Sequence, residues 1–593
     1  MVQIANTFRL ILGSLLAATL VSAVPTADTG SLLERQSNGR LVFAHFMIGI
    51  VGDRASPADY DNDMRRAKAL GIDAFALNIG TETNTDQQLN YAYQSAANNG
   101  MKVFISFDFA FWSTGNGAAV GAKIGQYAGL PAQLFYQGKA FASSFVGDGV
   151  DVGALRNAAG REVFWVPNFH PGQSSFGALD GAFNWQAWAS NGNNKAPTPG
   201  HTVSVADGDA AYRSALGGKP YLAPVSPWFN THYGPEVPYS KNWVFPSDLL
   251  WYNRWNEILT LSPQFLEIIS WNDYGESHYI GPLSSLHWDD GNSKWVNDMP
   301  HNGWGDMAKP FIAAYKAGSQ SVNNFITSDQ LVYWYRPTLK SLNCDSTDTT
   351  MLPANNDSGN YFQGRPNGWD SMSDSVFVVS LLTSPGVVTV VSGGNTRTFN
   401  APAGASAFQV DMQVGQQAFY LTRGSTTVLS AVSLKNVSPT CICGLYNFNA
   451  YVGTVPAGSP DPLGRDGIGS LTIGLRVSTC AATPTLSTAP PAATNPPPTT
   501  TAPPTTTPPP NPGQVCIAGR GDGNYGGLCS FCCNFGYCPP GPCVCTATGS
   551  QVPPPPNTGT VGVPLPGEDA SYLGLCSYAC DHGYCPNTAC MVR

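Results

Sequence analysis

FLEIISWNDYGES, residues 265–277, opens as a continuous apolar run and ends in two carboxylates, Asp273 and Glu276, three positions apart. Trp271, Asn272 and Tyr274 lie among them, and His278 follows. A short apolar run bounded by polar turn residues reads as a buried strand. Surface loops present acids and aromatics freely, but core strands rarely do. A (β/α)8 barrel is the architecture in which buried strands deliver such side chains to a rim, at their carboxyl ends. The fold therefore turns on whether this strand is the eighth of a set.

Seven earlier runs complete that set: LVFAHFMIG (41–49), DAFALNIG (73–80), KVFISFDFAF (102–111), AFASSFVG (140–147), EVFWVPNF (162–169), AFNWQAW (182–188) and PYLAPVSPWF (220–229). Helical segments fall between several of them: Pro57 to Leu70 behind a Ser56 cap and before Gly71, Asp86 to Asn99 before Gly100, Asp207 to Leu216, and Asp248 to Leu261. Capping residues at the start and glycine at the end are helix boundary signals. Strands alternating with helices predict an α/β fold, a (β/α)8 barrel over residues 37–320. A doubly wound sheet is the competing architecture, but no glycine-rich phosphate loop follows the first strand.

From about 321 to 480 the helical period disappears. SVFVVSLLTS, GVVTVVSGG, AFQVDMQVG and QAFYLTRG alternate between Gly, Pro and Asn turns, which predicts a β-sandwich accessory domain. Residues 481–514 carry no charge and are dominated by Pro, Thr and Ala, the composition of an extended, O-glycosylated linker. The tail, 515–593, repeats itself: GLCSFCCNFGYCPPGPC (527–543) matches GLCSYACDHGYCPNTAC (574–590). Tyr525, Tyr537, Tyr572 and Tyr584 are candidate sugar-stacking rings there; the alternative is that they cover disulfides in a small core.

The compartment is legible at the other end. LILGSLLAATLVSA (10–23) follows Arg9 and closes on small residues, so 1–23 reads as a signal peptide and 24–36 as a possible propeptide. No later apolar run is long enough to span a membrane. None of the 15 cysteines precedes Cys344, and eleven crowd into 516–590. In a secreted chain that crowding predicts a disulfide framework rather than a metal site, with one thiol left over. Asn356 and Asn436 head glycosylation sequons. The net charge of -9 argues against a nucleic-acid partner. Charged residues are only 12%, which suits a secreted, monomeric protein handling a neutral polar ligand such as carbohydrate.

Strand ends of the predicted barrel supply His45, Asn78, Asp108, Trp112, Asn168, His170, Trp228, Trp271, Asp273 and Glu276, with Tyr274 and His278 on the last loop. Twelve of the fourteen tryptophans precede residue 305. Carboxylates with amides, imidazoles and indoles around one rim are the equipment of a glycosidase: one acid protonates the leaving oxygen, another carboxylate activates water or attacks. No H-E-x-x-H, G-x-S-x-G or P-loop occurs, and no cofactor or metal is expected. Retaining barrels often carry acids after strands four and seven; here strand four ends FVGDG and strand seven SPWFN, so the acids cluster after strand eight instead.

HFMIG, SFDFAF and SWNDYGES together resemble glycoside hydrolase family 71, the fungal α-1,3-glucanases called mutanases, over roughly residues 38–480. The tail, with CNFGYCPPGPC and CDHGYCPNTAC, is similar to carbohydrate-binding module family 24, which binds α-1,3-glucan. The resemblance implies endo-hydrolysis of α-1,3-glucosidic bonds in insoluble glucan with inversion, using Asp108, Asp273 and Glu276. The expected division makes Glu276 the general acid and has Asp273 direct the water, with Asp108 holding the sugar or relaying a proton. The alternative from another class is a cell-wall lectin that uses the barrel as a non-catalytic scaffold.

Overall fold

The computed structural model describes residues 39–192, 195–233, 241–287, 294–348 and 364–462, together with 515–521, 526–539, 543–550, 552–565, 573–587 and 589–592 of the tail. The leader, the linker, Asn356, Tyr525 and Tyr572 lie outside the described residues.

All eight strands read from the sequence are present: β1 (Leu41–Met47), β2 (Ala74–Ile79), β3 (Lys102–Asp108), β4 (Lys139–Phe145), β5 (Val163–Pro167), β6 (Ala182–Phe183), β7 (Tyr221–Val225) and β8 (Phe265–Ile268). Apart from β5 and β6, neighbours in chain order pair in parallel, and β8 returns to pair with β1, Leu41 lying opposite Phe265. The result is a curled sheet. No ladder joins β5 to β6 among the described residues, but the Asp180 and Gly181 N–H groups both donate to the Trp165 carbonyl, at 3.1 and 3.4 Å.

Alternation along each strand sorts side chains between two cores. Val42, Ala44, Phe75, Leu77, Val103 and Ile105 pack with helix residues such as Met64, Leu89 and Ile124. Phe43, Phe104, Phe141, Phe164 and Phe265 meet one another inside the curl, with ring centroids 4.7–6.2 Å apart. This interior is densely aromatic, with these phenylalanines in one buried cluster.

The helices start and stop close to where the caps predict. Pro57–Tyr60 is a 3-10 turn behind the Ser56 capping box, leading into the helix Asp61–Leu70, which Gly71 closes with φ 94°. Helices at Gly117–Tyr127 and Val152–Ala158, which end on Ala128 and Ala159 and not on a closing glycine, escaped the sequence reading.

Beyond residue 329 two four-stranded antiparallel sheets follow, one containing Gln330–Tyr335 and Ser375–Leu382, the other Gly386–Ser392 and Gln417–Arg423. They share one apolar cluster, in which Tyr333 stacks on Phe419 at 3.7 Å. This region and the curled sheet form one compact unit, and the tail forms another. Asp461 accepts from the Leu283 N–H at 2.8 Å, and the Trp228 indole donates to the Phe448 carbonyl at 2.9 Å. The second region thereby buttresses the loop that follows the SWNDYGES turn.

Cys344 and Cys441 form a disulfide across 97 residues. Closing a loop of that length removes about 4–5 kcal/mol of denatured-chain entropy. Replacing both by Ser is therefore expected to lower the thermal midpoint of the large unit; an unchanged midpoint in a melting scan would contradict this.

In the tail the two repeats place disulfides in register, Cys529–Cys543 and Cys533–Cys538 in one, Cys576–Cys590 and Cys580–Cys585 in the other, with Cys516–Cys545 added. Cys532 is the free thiol among the described residues; it is buried, and burial pushes it up to about 12. The repeats meet reciprocally: Phe531 stacks on Tyr584 at 4.8 Å, and the equivalent Tyr578 stacks on Tyr537 at 4.6 Å. Tyr537 and Tyr584 thus face rings of the other repeat, and those faces are not open to sugar as the sequence suggested. The sequon residue Asn436 is exposed.

Candidate active site

The SWNDYGES loop is pinned to β1 before it reaches its acids. Asn272 accepts from the Met47 N–H at 2.7 Å and donates back to the Met47 carbonyl at 3.1 Å. The Trp271 N–H donates to the His45 carbonyl at 2.7 Å, and its indole donates to Asp63 at 2.9 Å. Asp63 in turn pairs with Arg54 at 2.9 Å, both buried. The chain then turns tightly through Ser277, which takes a left-handed φ of 61°. Gly275 is required here, because a Cβ would lie 1.8 Å from the Tyr233 hydroxyl.

Within the turn one polar chain connects the two acids. Ser270 Oγ accepts from the Asp273 N–H at 2.8 Å and lies 2.9 Å from His278 Nδ1. His278 Nε2 lies 3.0 Å from Glu276 Oε2 and 3.7 Å from Asp273 Oδ2. Ionised carboxylates only accept, so Nε2 carries the proton toward Glu276. Asp273 Oδ1 also accepts from the Glu276 N–H at 3.1 Å.

The two carboxyls are each about four-fifths buried, but their surroundings differ. Glu276 touches the Lys241 ammonium as well as His278. Burial alone would raise its pKa; Lys241 and His278 outweigh that and bring it down to about 2. Among the described residues Asp273 makes no ion pair with a Lys or Arg, and His278 Nε2 stands farther from it, at 3.7 Å, than from Glu276. Burial raises it, the adjacent Glu276 charge adds to the rise, and His278 and Lys241 offset it only in part. One acid is thus held ionised and its neighbour is biased toward carrying a proton. This is how paired titratable groups divide into base and acid.

Asp108 stands at the end of β3, buried, accepting from the Ala110 N–H at 2.9 Å and hydrogen-bonded to Asn78. Burial raises its pKa, while the Ala110 N–H and His45 pull the other way. Trp112 is half-buried, its indole donating to the Gly80 carbonyl at 2.9 Å. His170 is partly exposed and bonded to Asp148 at 2.6 Å.

Several residues expected to face substrate are instead structural. Trp271, Tyr274 and Trp228 are fully buried, their polar atoms donating to Asp63, the Pro282 carbonyl and the Phe448 carbonyl. Asn168 is buried and ties the Phe183 carbonyl to the Tyr212 hydroxyl. His278 and His45 are buried too, His278 against Ser270 and Glu276 and His45 against Glu267. Conversely, the sequence reading missed Lys241, which arrives on the hairpin Asn230–Tyr233 and Lys241–Val244. It also missed Trp185, Glu267 and the exposed Phe111.

Asp273, Glu276 and His278 each offer one ligand atom within 4.8 Å of the others, the spacing a cation could use. Lys241 already supplies a positive charge at Glu276. A second such group, Cys516, Cys533 and Cys538, is committed to disulfides.

With this geometry in hand, the sequence matches known proteins over the same region. Residues 38–464 match the family model described as glycosyl hydrolase family 71. A mutanase of Penicillium rubens is 43% identical over 445 residues, covering 74% of this chain and 94% of its own length. A glucan endo-1,3-alpha-glucosidase of Schizosaccharomyces pombe is 33% identical, covering 72% of this chain and 97% of its own. An ascus wall endo-1,3-alpha-glucanase of the same yeast is 27% identical, covering 69% and 96%.

Proposed function

This chain belongs to glycosyl hydrolase family 71, and from that premise we infer that it hydrolyses α-1,3-glucosidic bonds inside insoluble α-1,3-glucan. Membership sets aside the lectin reading. The observation that carries the mechanism is the split between two adjacent carboxyls, Glu276 ionised against Lys241 and Asp273 biased toward its protonated form. We assign Asp273 as the general acid that protonates the leaving glucosyl oxygen and Glu276 as the base that activates water. This reverses the division expected from the sequence. Asp108, hydrogen-bonded to Asn78, holds a sugar hydroxyl or relays a proton.

Inversion is the stereochemistry we propose, on the family resemblance. An inverting pair stands about 6.5–9.5 Å apart with water between, whereas one oxygen of each carboxyl here lies within 4.8 Å of the other. The water must therefore enter by parting a pair that His278 bridges.

The remaining architecture is proposed in the same spirit. Residues 37–320 form a (β/α)8 catalytic barrel, 321–480 a β-sandwich, 481–514 a linker, and 515–593 an α-1,3-glucan-binding module that keeps the enzyme at its polymer by raising local concentration. Six disulfides among the described residues support secretion, and the protein is proposed to act as a monomer after its leader is cleaved. Among the described residues no helix is long and apolar enough to cross a membrane. Reducing sugar released from α-1,3-glucan, β-1,3-glucan and starch side by side tests the specificity. Release from α-1,3-glucan alone is expected; equal release from starch would overturn it.

A further inference from the structure

Glu267 lies in the apolar run of β8, fully buried, on the face that carries Phe265 into the aromatic interior. One oxygen is 2.7 Å from His45 Nδ1; the other, Oε2, has no hydrogen-bond partner among the described residues. His45 is also buried, and its Nε2 has no hydrogen-bond partner among the described residues. A buried carboxylate with an unsatisfied oxygen is costly, and packed apolar residues would serve stability as well or better. The pair plays no part in the acid–base division between Asp273 and Glu276, and His45 bears on Asp108 only through its charge, so the buried Glu267 calls for a further reason.

That reason stands directly on the pair. The indole of Trp185, two residues beyond β6, meets the His45 ring edge-to-face at 4.8 Å. Phe145, at the end of β4, meets the same indole at 4.8 Å, and Phe183 meets it at 5.6 Å. Contacts from β1, β4 and β6 place Trp185 across the carboxyl-end mouth of the curl. Phe145 pairs in register with Asp108, so the indole is one side chain from that carboxylate. None of the three rings stacks parallel on Trp185, and the residue remains partly exposed. A rigid, half-open indole beside a catalytic carboxylate presents an apolar face to the C–H face of a sugar ring.

We propose that Trp185 is the sugar platform of the cleavage site, and that Glu267 is a positioning residue that holds it through His45. The proposal rests on the glycosidase reading above. Glu267 fixes the His45 ring, and the ring fixes the indole, so the platform is preorganised and does not have to be ordered on binding.

Kinetics on a soluble α-1,3-linked gluco-oligosaccharide test it. Trp185→Ala is expected to lower kcat/KM by about 30-fold or more, chiefly through KM, and Trp185→Phe to recover to within about fivefold of wild type. Glu267→Gln should lower kcat/KM in the same direction by a smaller factor. Glu267→Gln combined with Trp185→Ala should be no worse than Trp185→Ala alone, because both act through one indole. His45→Asn, run in parallel, carries the same expectation if Glu267→Gln is not recovered folded. Additive losses would overturn the relay, and a Trp185→Ala enzyme within threefold of wild type would overturn the platform. Wild type serves as the control for the premise: if it leaves the oligosaccharide intact, the glycosidase reading itself fails. If wild type cuts and Trp185→Ala cuts as fast, only the platform fails.

Discussion

Asp273→Asn is expected to cost about 10²–10⁴ in turnover on α-1,3-glucan, yet far less on the corresponding α-1,3-gluco-oligosaccharyl fluoride. Fluoride departs without a proton, so an enzyme that lacks only its general acid still turns that substrate over. Glu276→Gln should lose activity on both substrates, since water must be activated in either case. The asymmetry follows from the surroundings of the two groups. Glu276 is in contact with a cation and bonded to His278, whereas Asp273 faces burial and a neighbouring negative charge. A retained fluoride activity in Glu276→Gln, with its loss in Asp273→Asn, would restore the opposite division of roles.

Lys241→Met should move the whole pH–activity profile to higher pH. Glu276 works ionised, and its carboxyl is held at about 2 because Lys241 and His278 outweigh burial. Without the ammonium that downward pull is lost, the carboxyl rises, and the acid limb moves up. Asp273 works protonated, and Lys241 is one of the groups that pull it down. Removing that pull raises Asp273 further, so the alkaline limb moves up as well. At acidic pH the expected loss is at least tenfold, the factor that accompanies each unit by which a needed carboxylate is protonated. Activity recovers partly as pH rises. A profile that falls in height without moving would show that Lys241 is structural.

The strands could be read from sequence because each is a short apolar run ended by polar residues, and alternation between two cores demands that pattern. The acids of SWNDYGES were visible for the same reason: carboxylates after a core strand have no structural need to be there. Lys241 was not legible, because it reaches Glu276 from a hairpin 35 residues earlier in the chain. Glu267 was hidden inside the apolar run that identified its own strand. Trp271 and Tyr274 misled in the other direction. An aromatic beside two acids reads as a sugar platform, but their burial is decided by Asp63 and Pro282, distant partners that local sequence does not announce. In the tail, the repeat predicted two similar units. That their rings would stack on each other across the two halves depends on how the halves meet.

The most direct measurement is anomer-resolved NMR of the first products released by wild-type enzyme from α-1,3-glucan. An Asp273 acid and a Glu276 base acting on water predict new reducing ends on α-1,3-linked oligosaccharides that appear first as the β-anomer and then mutarotate. First products in the α-configuration, or no new reducing ends from this glucan, would contradict it.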